Sequence, residues 1–313
     1  MSDPTVSVII PTYNYGHYIS EALDSVFAQT YTDYEVIIVD DGSTDGTPEI
    51  VAPYLDRAKF ISTDHVGHTN ARDVGIAASR GRYICFLDSD DMFTPDKLEL
   101  QVPFMEAHPE IDFVFSDFSS FDEAGERFDA WVSKQKRFSS VPYRQEGVHR
   151  LFEGSLYDAV FYERLVLPGT MLIRRGYLIE TGVYDSDVAA KVFYSKFLHT
   201  LDKSNVAYTD TATVRRRWHG DNISLDNEVV NVAIVRVFEK FLDARGHEMP
   251  GTYRRYAARR MSHAHYRLGR LALKNGEIRE GRSHLWCSLK AWPFKWRSYG
   301  ALAGTLFSKI PRR

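Results

Sequence analysis

Over the first ninety residues the apolar positions alternate between two periods. Val6-Ser7-Val8-Ile9-Ile10 is a nearly continuous apolar run, the mark of a buried strand, and it closes at Pro11-Thr12-Tyr13-Asn14. Between residues 17 and 29, Ile19, Ala22, Leu23, Val26 and Phe27 recur at helical spacing. A second run, Glu35-Val36-Ile37-Ile38-Val39, ends in Asp40-Asp41 and a loop through Gly42 to Thr47. Ser43 or Asp45 is placed to cap the next helix, with Pro48 in its first turn. A strand near 59–62, a helix over 68–79 and a strand at Tyr83-Ile84-Cys85-Phe86-Leu87 complete the alternation. That pattern predicts an α/β fold, a mostly parallel sheet flanked by helices. A helix over 96–106 and a strand over 111–121 follow. From 122 to 164 the aromatic and charged residues follow neither period. Four more helices are expected over 229–242, 253–273, 278–289 and 298–308.

The strand at 83–87 ends in three carboxylates within four positions, Asp88, Asp90 and Asp91, around Ser89. Unpaired carboxylates cost too much inside a core, so they must meet water, a cation or a polar ligand where the strand emerges. Hard oxygen ligands one residue apart suit a divalent metal that keeps waters and grips phosphates. The plainer alternative is a surface turn with an Asp cap for the following helix. Two strands thus end in paired acids and a third in Pro-Thr-Tyr-Asn, all on the carboxyl edge where α/β sheets bind ligands. An aromatic face for a base, a carboxylate for a ring N–H or ribose hydroxyl, and acids for a metal are what a nucleotide site needs. No dinucleotide fingerprint and no P-loop follows any strand, which leaves phosphates to metal and side chains.

These stretches, Val-Ile-Ile-Pro-Thr-Tyr-Asn, Val-Asp-Asp-Gly-Ser-Thr-Asp-Gly-Thr, Gly67 with Ala71-Arg72-Asp73 and Gly75, and Phe-Leu-Asp-Ser-Asp-Asp, resemble in order and spacing glycosyltransferase family 2. Those are inverting enzymes of the GT-A fold that use nucleotide diphosphate sugars. The resemblance implies a donor site of Pro11, Tyr13 stacked on the base, Asn14, Asp41 reading the base, Gly67, Arg72, Asp88, Ser89 and Asp90. It implies a divalent metal, Mn²⁺ or Mg²⁺, on Asp88, Asp90 and Asp91. Asp73 stands where the family usually has Asn. Further on, Arg215-Arg216-Arg217-Trp218-His219 with Ser224 looks like the family segment over the diphosphate, adding Arg217 and His219 to the donor site and His219 to the metal shell. It divides the chain into a GT-A domain over 1–225, with a donor half to about 121 and an acceptor half over 122–225, and a basic helical subdomain over 226–313.

Pro168-Gly169-Thr170 and Gly182-Val183-Tyr184-Asp185 also look like family segments, but the Glu-Asp pair expected next, whose Asp deprotonates the acceptor, is missing. Lys191-Val192 stand there. A general base must reach the proton it takes, and Asp187 is the candidate, with Asp185 second and Asp202 near the helix end. Asp187 as a helix cap is the plain alternative. The expected function is therefore a metal-dependent inverting glycosyltransferase acting on a glycan or lipid-linked acceptor in surface polysaccharide assembly. A nucleotide-sugar-binding protein without transferase activity is the alternative. A nucleotidyltransferase would need a Gly-rich N-terminal loop that is absent.

Composition alters this picture at the C-terminal end. The 313 residues carry 39 Lys and Arg against 42 Asp and Glu, yet residues 251–313 hold 15 of the former and 2 of the latter. Interleaved with those cations are Trp286, Trp292, Phe294, Trp296 and Phe307, the ingredients of a peripheral contact with an anionic membrane. Packing of the tail on the acidic domain is the competing expectation; no nucleic-acid motif accompanies it. Two cysteines, Cys85 and Cys287, exclude a disulfide framework, and no apolar run approaches bilayer length. A cytoplasmic protein, peripheral on the cytoplasmic face of the membrane, is expected.

Overall fold

The computed structural model describes residues 3–65, 67–163, 165–181, 205–222, 225–245 and 249–306. They fall into two compact units, one formed by residues up to 181 with 205–219, the other from 220 onward. The break thus comes a few residues before the expected boundary at 225. Asp185, Asp187, Lys191, Val192 and Asp202 lie outside the described residues, as do residues 307–313.

In the first unit, β1 (Val6–Thr12) is buried along its whole length. It is followed by α1 (Gly16–Phe27), whose Ile19, Ala22, Leu23 and Val26 form the predicted apolar stripe. β2 (Tyr34–Asp40) leads to α2 (Thr47–Val51). Asp45 accepts from the Thr47 N–H at 3.2 Å, which supports the first turn, while Gly46 rather than Asp45 or Ser43 occupies the cap position. β3 (Ala58–Ser62), α3 (His68–Ala78) and β4 (Tyr83–Phe86) complete the β/α series. β1 pairs parallel with β2 on one side and β4 on the other, and β3 extends β2. Gly75 is where α3 crosses β1: a Cβ there would enter the van der Waals envelope of Ile9 Cγ2.

The remainder of the sheet is less parallel than expected. β5 (Met92–Phe93), α4 (Lys97–Ala107), β6 (Phe113–Asp122) and β7 (Gly125–Phe128) come next, then α5 (Lys136–Ser139), β8 (Tyr143–Glu146), β9 (His149–Phe152) and α6 (Tyr157–Glu163). β10 (Leu172–Arg174), α7 (Arg175–Thr181) and β11 (Val206–Arg217) finish the unit. The order is β3-β2-β1-β4-β10-β6-β11-β9-β8, with β5 on β11 and β7 on β6. Three-residue β10 lies antiparallel to both β4 and β6, whereas β6 and β11 run parallel. A mixed α/β sheet flanked by helices results.

The 122–164 stretch, without a period in sequence, consists of short elements closing one end of this sheet. Phe138 is buried, its ring 4.8 Å from Tyr208 and 5.5 Å from Phe152, and Tyr157 is buried too. Trp131 and Tyr143 stay exposed, at 40% and 39%, so the aromatics of this stretch divide between plugging and facing solvent. What holds the loop is Asp117 on β6, whose carboxylate accepts from the N–H groups of Trp131, Val132 and Ser133 at 2.7, 2.8 and 2.9 Å and from the Tyr208 hydroxyl at 2.8 Å. Burial works against its charge, but hydrogen bonds from Ser133, Trp131 and Val132 outweigh it and keep the carboxyl below its usual range.

The second unit is helical: α8 (Asn227–Arg245), α9 (Gly251–Lys274), α10 (Ile278–Ala291) and α11 (Trp296–Leu306). α9 and α10 form an antiparallel hairpin that crosses closely at two glycines. A Cβ on Gly269 would lie 2.9 Å from Leu285 Cγ, and one on Gly281 would lie 2.6 Å from Leu273 Cγ. Among the described residues no helix is long and apolar enough to cross a membrane.

Candidate functional site

The chain leaves β1 toward β2 on one flank, while β4 lies on the other, so the sheet order reverses between β1 and β4. Outside the carboxyl ends of strands at such a reversal lies the crevice where α/β sheets hold ligands. Residues 13–14 follow β1, Asp41 follows β2 and Asp88 to Asp91 follow β4 on that edge. The loops are laced together. Asn14, in the left-handed region at φ 55°, accepts from the Thr44 N–H at 2.8 Å and donates its own N–H to Ser43 Oγ at 2.8 Å.

Asp41 is 1% exposed and holds the far side of the crevice. Its Oδ2 accepts from the Gly67 N–H at 2.8 Å and its Oδ1 from the Thr63 hydroxyl at 2.8 Å. Those bonds tie Thr63 and Gly67 to the end of β2, and with Gly67 the start of α3. Tyr13, 39% exposed, has its ring 4.2 Å from that of His65 in the same loop. Pro11 is buried within β1. Thr12 Oγ1, buried at the end of β1, has no hydrogen-bond partner among the described residues.

From α3, Arg72 reaches across to Asp88 in an ion pair, the guanidinium side chain only 6% exposed. Asp90 Oδ2 lies 3.0 Å from His219 Nε2. Asp91 faces inward and accepts the Arg217 N–H at 2.9 Å. Ser89 is buried between them. The pairing of β5 with β11, Phe93 opposite Val214 and Met92 opposite Arg215, brings the end of β11 over these acids.

Arg217, expected in the donor site, also has partners within the protein. Its guanidinium bonds Glu21 at 2.8 Å and the Asp90 carbonyl at 3.2 Å, and lies over the Tyr18 and Phe121 rings. His219 packs 4.6 Å from Tyr18 and 5.8 Å from Tyr15. Tyr15, Tyr18 and Glu21 were not among the sequence candidates, although two tyrosines and a glutamate at three-residue spacing across the start of α1 could have drawn attention to them. His65 carried no comparable sequence signal.

Burial, and next the charge of Asp88, push the Asp90 carboxyl above its usual range. Burial and the charges of Asp90 and Asp88 push Asp91 well above it. This crowding of negative charge fits a divalent cation, whose hard-oxygen preference these residues meet. Among the described residues no three His, Cys, Asp or Glu side chains gather as a ready cage. Each carboxylate already has a partner in the protein, Asp88 in Arg72, Asp90 in His219 and Asp91 in the Arg217 N–H, and these are the residues that would hold the ion. Magnesium-like ions commonly take one or two carboxylates and complete their shell with water and substrate phosphates.

The pattern of Glycosyl transferase family 2 matches residues 7–177, just over half of the chain, and the protein belongs to that family. An uncharacterized glycosyltransferase of Rickettsia conorii is 44% identical over 121 residues, 38% of this chain and 20% of the relative. The match thus spans about a fifth of that relative's length. One from Rickettsia typhi is 27% identical over 237 residues, 75% of this chain and 69% of the relative. Among solved structures, Staphylococcus aureus TarS 1–349 in complex with UDP-GlcNAc superposes with a TM-score of 0.63 at 19% identity, over 96% of this chain and 89% of that one. The mannosyltransferase PcManGT from Pyrobaculum calidifontis, in complex with GDP-Man and Mn²⁺, gives 0.56 at 17% identity, over 98% and 86%. These share its fold.

Proposed function

We propose that the protein is a metal-dependent, inverting glycosyltransferase that moves a sugar from a nucleotide diphosphate donor, UDP-linked by preference, to a glycan or lipid-linked acceptor in surface polysaccharide assembly. The observation that carries this reading is that the acids after β4 are met from two elements distant in sequence, Asp88 by Arg72 of α3 and Asp90 by His219 after β11. Family membership and the nucleotide sugars bound by structural neighbours support it.

In this reading Tyr13 stacks on the base, Asp41 accepts from its ring N–H, and Asn14 and Gly67 shape the walls. Arg72, Asp88, Ser89 and Asp90 hold ribose and diphosphate. Asp88, Asp90, Asp91 and His219 would hold Mn²⁺ or Mg²⁺, which would supply positive charge to offset the negative charge on the departing diphosphate. Arg217 keeps His219 and Asp90 in register. The acceptor oxygen attacks the anomeric carbon, the bond to the diphosphate breaks, and the acceptor proton passes to a carboxylate, Asp187 first and Asp185 second. The protein acts on the cytoplasmic face of an anionic membrane, held there by its C-terminal part; the free, buried Cys85 thiol accords with a reducing compartment.

A second reading is a nucleotide-sugar-binding protein without transfer, favoured by Lys191-Val192 where the family carries its acidic pair. Calorimetry with a panel of nucleotide sugars and Mn²⁺, followed by product analysis, separates the two. Binding accompanied by nucleotide release and a glycosylated acceptor supports transfer; binding alone supports the second reading.

A further inference from the structure

The second unit carries a surface that its own packing does not cover. At the handover from α10 to α11 the chain reads Trp292-Pro293-Phe294-Lys295-Trp296-Arg297. Phe294 and Trp296 are 81% and 73% exposed, and Trp286 and Tyr299 are more than half exposed. Single exposed aromatics are ordinary, but several of the largest residue types grouped on one end of a hairpin mark a contact surface. The Trp292 and Phe294 rings meet edge-on at 5.6 Å, and Arg259 stands 5.7 Å from the Trp292 ring. An open cavity of about 450 Å³ lies between the first turn of α9 and this segment, with Arg254, Arg255, Trp292 and Phe294 among its walls.

Positive charge predominates here. From 251 to 306 the acids are Glu277 and Glu280, both at the α9–α10 turn, the opposite end of the hairpin from Phe294. Burial, then the charges of Arg297, Arg267 and Arg259, push the Lys295 ammonium down, and among the described residues no carboxylate acts against them. The Lys295 Nζ lies 5.2 Å over the Tyr266 ring and Arg297 5.5 Å from that of Trp296, so cations and aromatics are interleaved on the same patch.

We infer that this end of the hairpin is the docking surface for an anionic phospholipid bilayer, with Phe294 and Trp296 at headgroup depth and Arg255, Lys295 and Arg297 on lipid phosphates. Two needs are met at once: exposed rings enter an apolar boundary and a positive cluster meets anions. The cavity takes one headgroup. A second copy of this chain would bring two positive faces together, and a polyanion without an apolar phase would leave Phe294 in water. The inference specifies the surface behind the proposed membrane placement and does not depend on transfer chemistry.

The test is flotation of the full chain with vesicles of phosphatidylcholine alone or mixed with phosphatidylglycerol, at low and high salt. The protein floats only with the anionic vesicles, and salt weakens the association. Phe294→Ala/Trp296→Ala and, separately, Lys295→Glu/Arg297→Glu each reduce it at least about tenfold. Brominated lipid quenches tryptophan emission in the unmodified protein. Circular dichroism confirms that both variants stay helical, and unchanged donor titration in them separates this result from any failure of the transferase reading. Equal flotation with neutral vesicles, or full flotation of either variant, overturns the inference. So does a concentration-dependent dimer abolished by the aromatic pair, or tighter binding to single-stranded nucleic acid than to vesicles.

Discussion

Asp90 and His219, 129 residues apart in sequence, meet with 3.0 Å between Oδ2 and Nε2. The contact joins the end of β4 to the end of β11, and the adjacent bond from the Arg217 N–H to Asp91 reinforces it. Two strands separated by β10 and β6 in the sheet thereby close over one crevice.

From this pairing, Asp90→Ala and His219→Ala should each weaken binding of a UDP-sugar in Mn²⁺ by at least about tenfold, a loss of about 1.4 kcal/mol. Because both residues act on one site, the double variant should lose less than the sum. Calorimetric titration with and without a chelator measures both effects. Donor affinity unchanged by chelator and by Asp90→Ala would remove the metal from the account.

Gly75→Ala tests how α3 is held. Alanine favours a helix over glycine by about 1 kcal/mol, but the added methyl collides with Ile9 on β1. We expect net destabilisation of about 1–3 kcal/mol by denaturant melting. Donor affinity falls as well, since α3 carries Arg72. A variant as stable as the parent would mean that the helix moves without cost.

The β/α alternation and the acids that end β2 and β4 were legible because each is written in consecutive residues. Pairings across the sheet were not. Asp117 reads as one polar residue in an apolar strand, and only the return of the chain at 131–133 shows that its carboxylate anchors a loop. Antiparallel β10 is three residues long, too short to display a period. His65 gains its meaning from Tyr13, 4.2 Å away in space and on another loop. The apparent disorder of 122–164 in sequence reflects several elements of four residues each, below the length at which alternation can be counted.

In the helical unit, His265 Nδ1 lies 3.0 Å from His284 Nδ1, and Glu280 is 3.9 Å from the other ring nitrogen of His284. Burial, then the neighbouring His284, push His265 from 6.5 down to about 4. With the folded value depressed, the unfolded chain takes up the proton first as pH falls. Stability is therefore complete above about 6.5 and is lost progressively down to about 4. Thermal melts over that window should show a falling midpoint, and His265→Leu should flatten the slope. An identical slope in the variant would assign it to other groups.

Asp187→Asn should leave donor binding intact and lower transfer by at least about 100-fold, the scale of a lost general base. Full turnover in this variant with loss in Asp185→Asn would move the role to Asp185. Full turnover in both would place the base elsewhere.

The most direct measurement is product analysis by mass spectrometry after incubation of the full chain with individual UDP- and GDP-sugars, Mn²⁺, and a panel of glycan and lipid-linked acceptors. The account predicts that one donor yields free nucleoside diphosphate together with an acceptor heavier by one sugar, and that the yield collapses in Asp90→Ala. Tight binding of donors with no nucleotide released and no acceptor modified by any of them would contradict it.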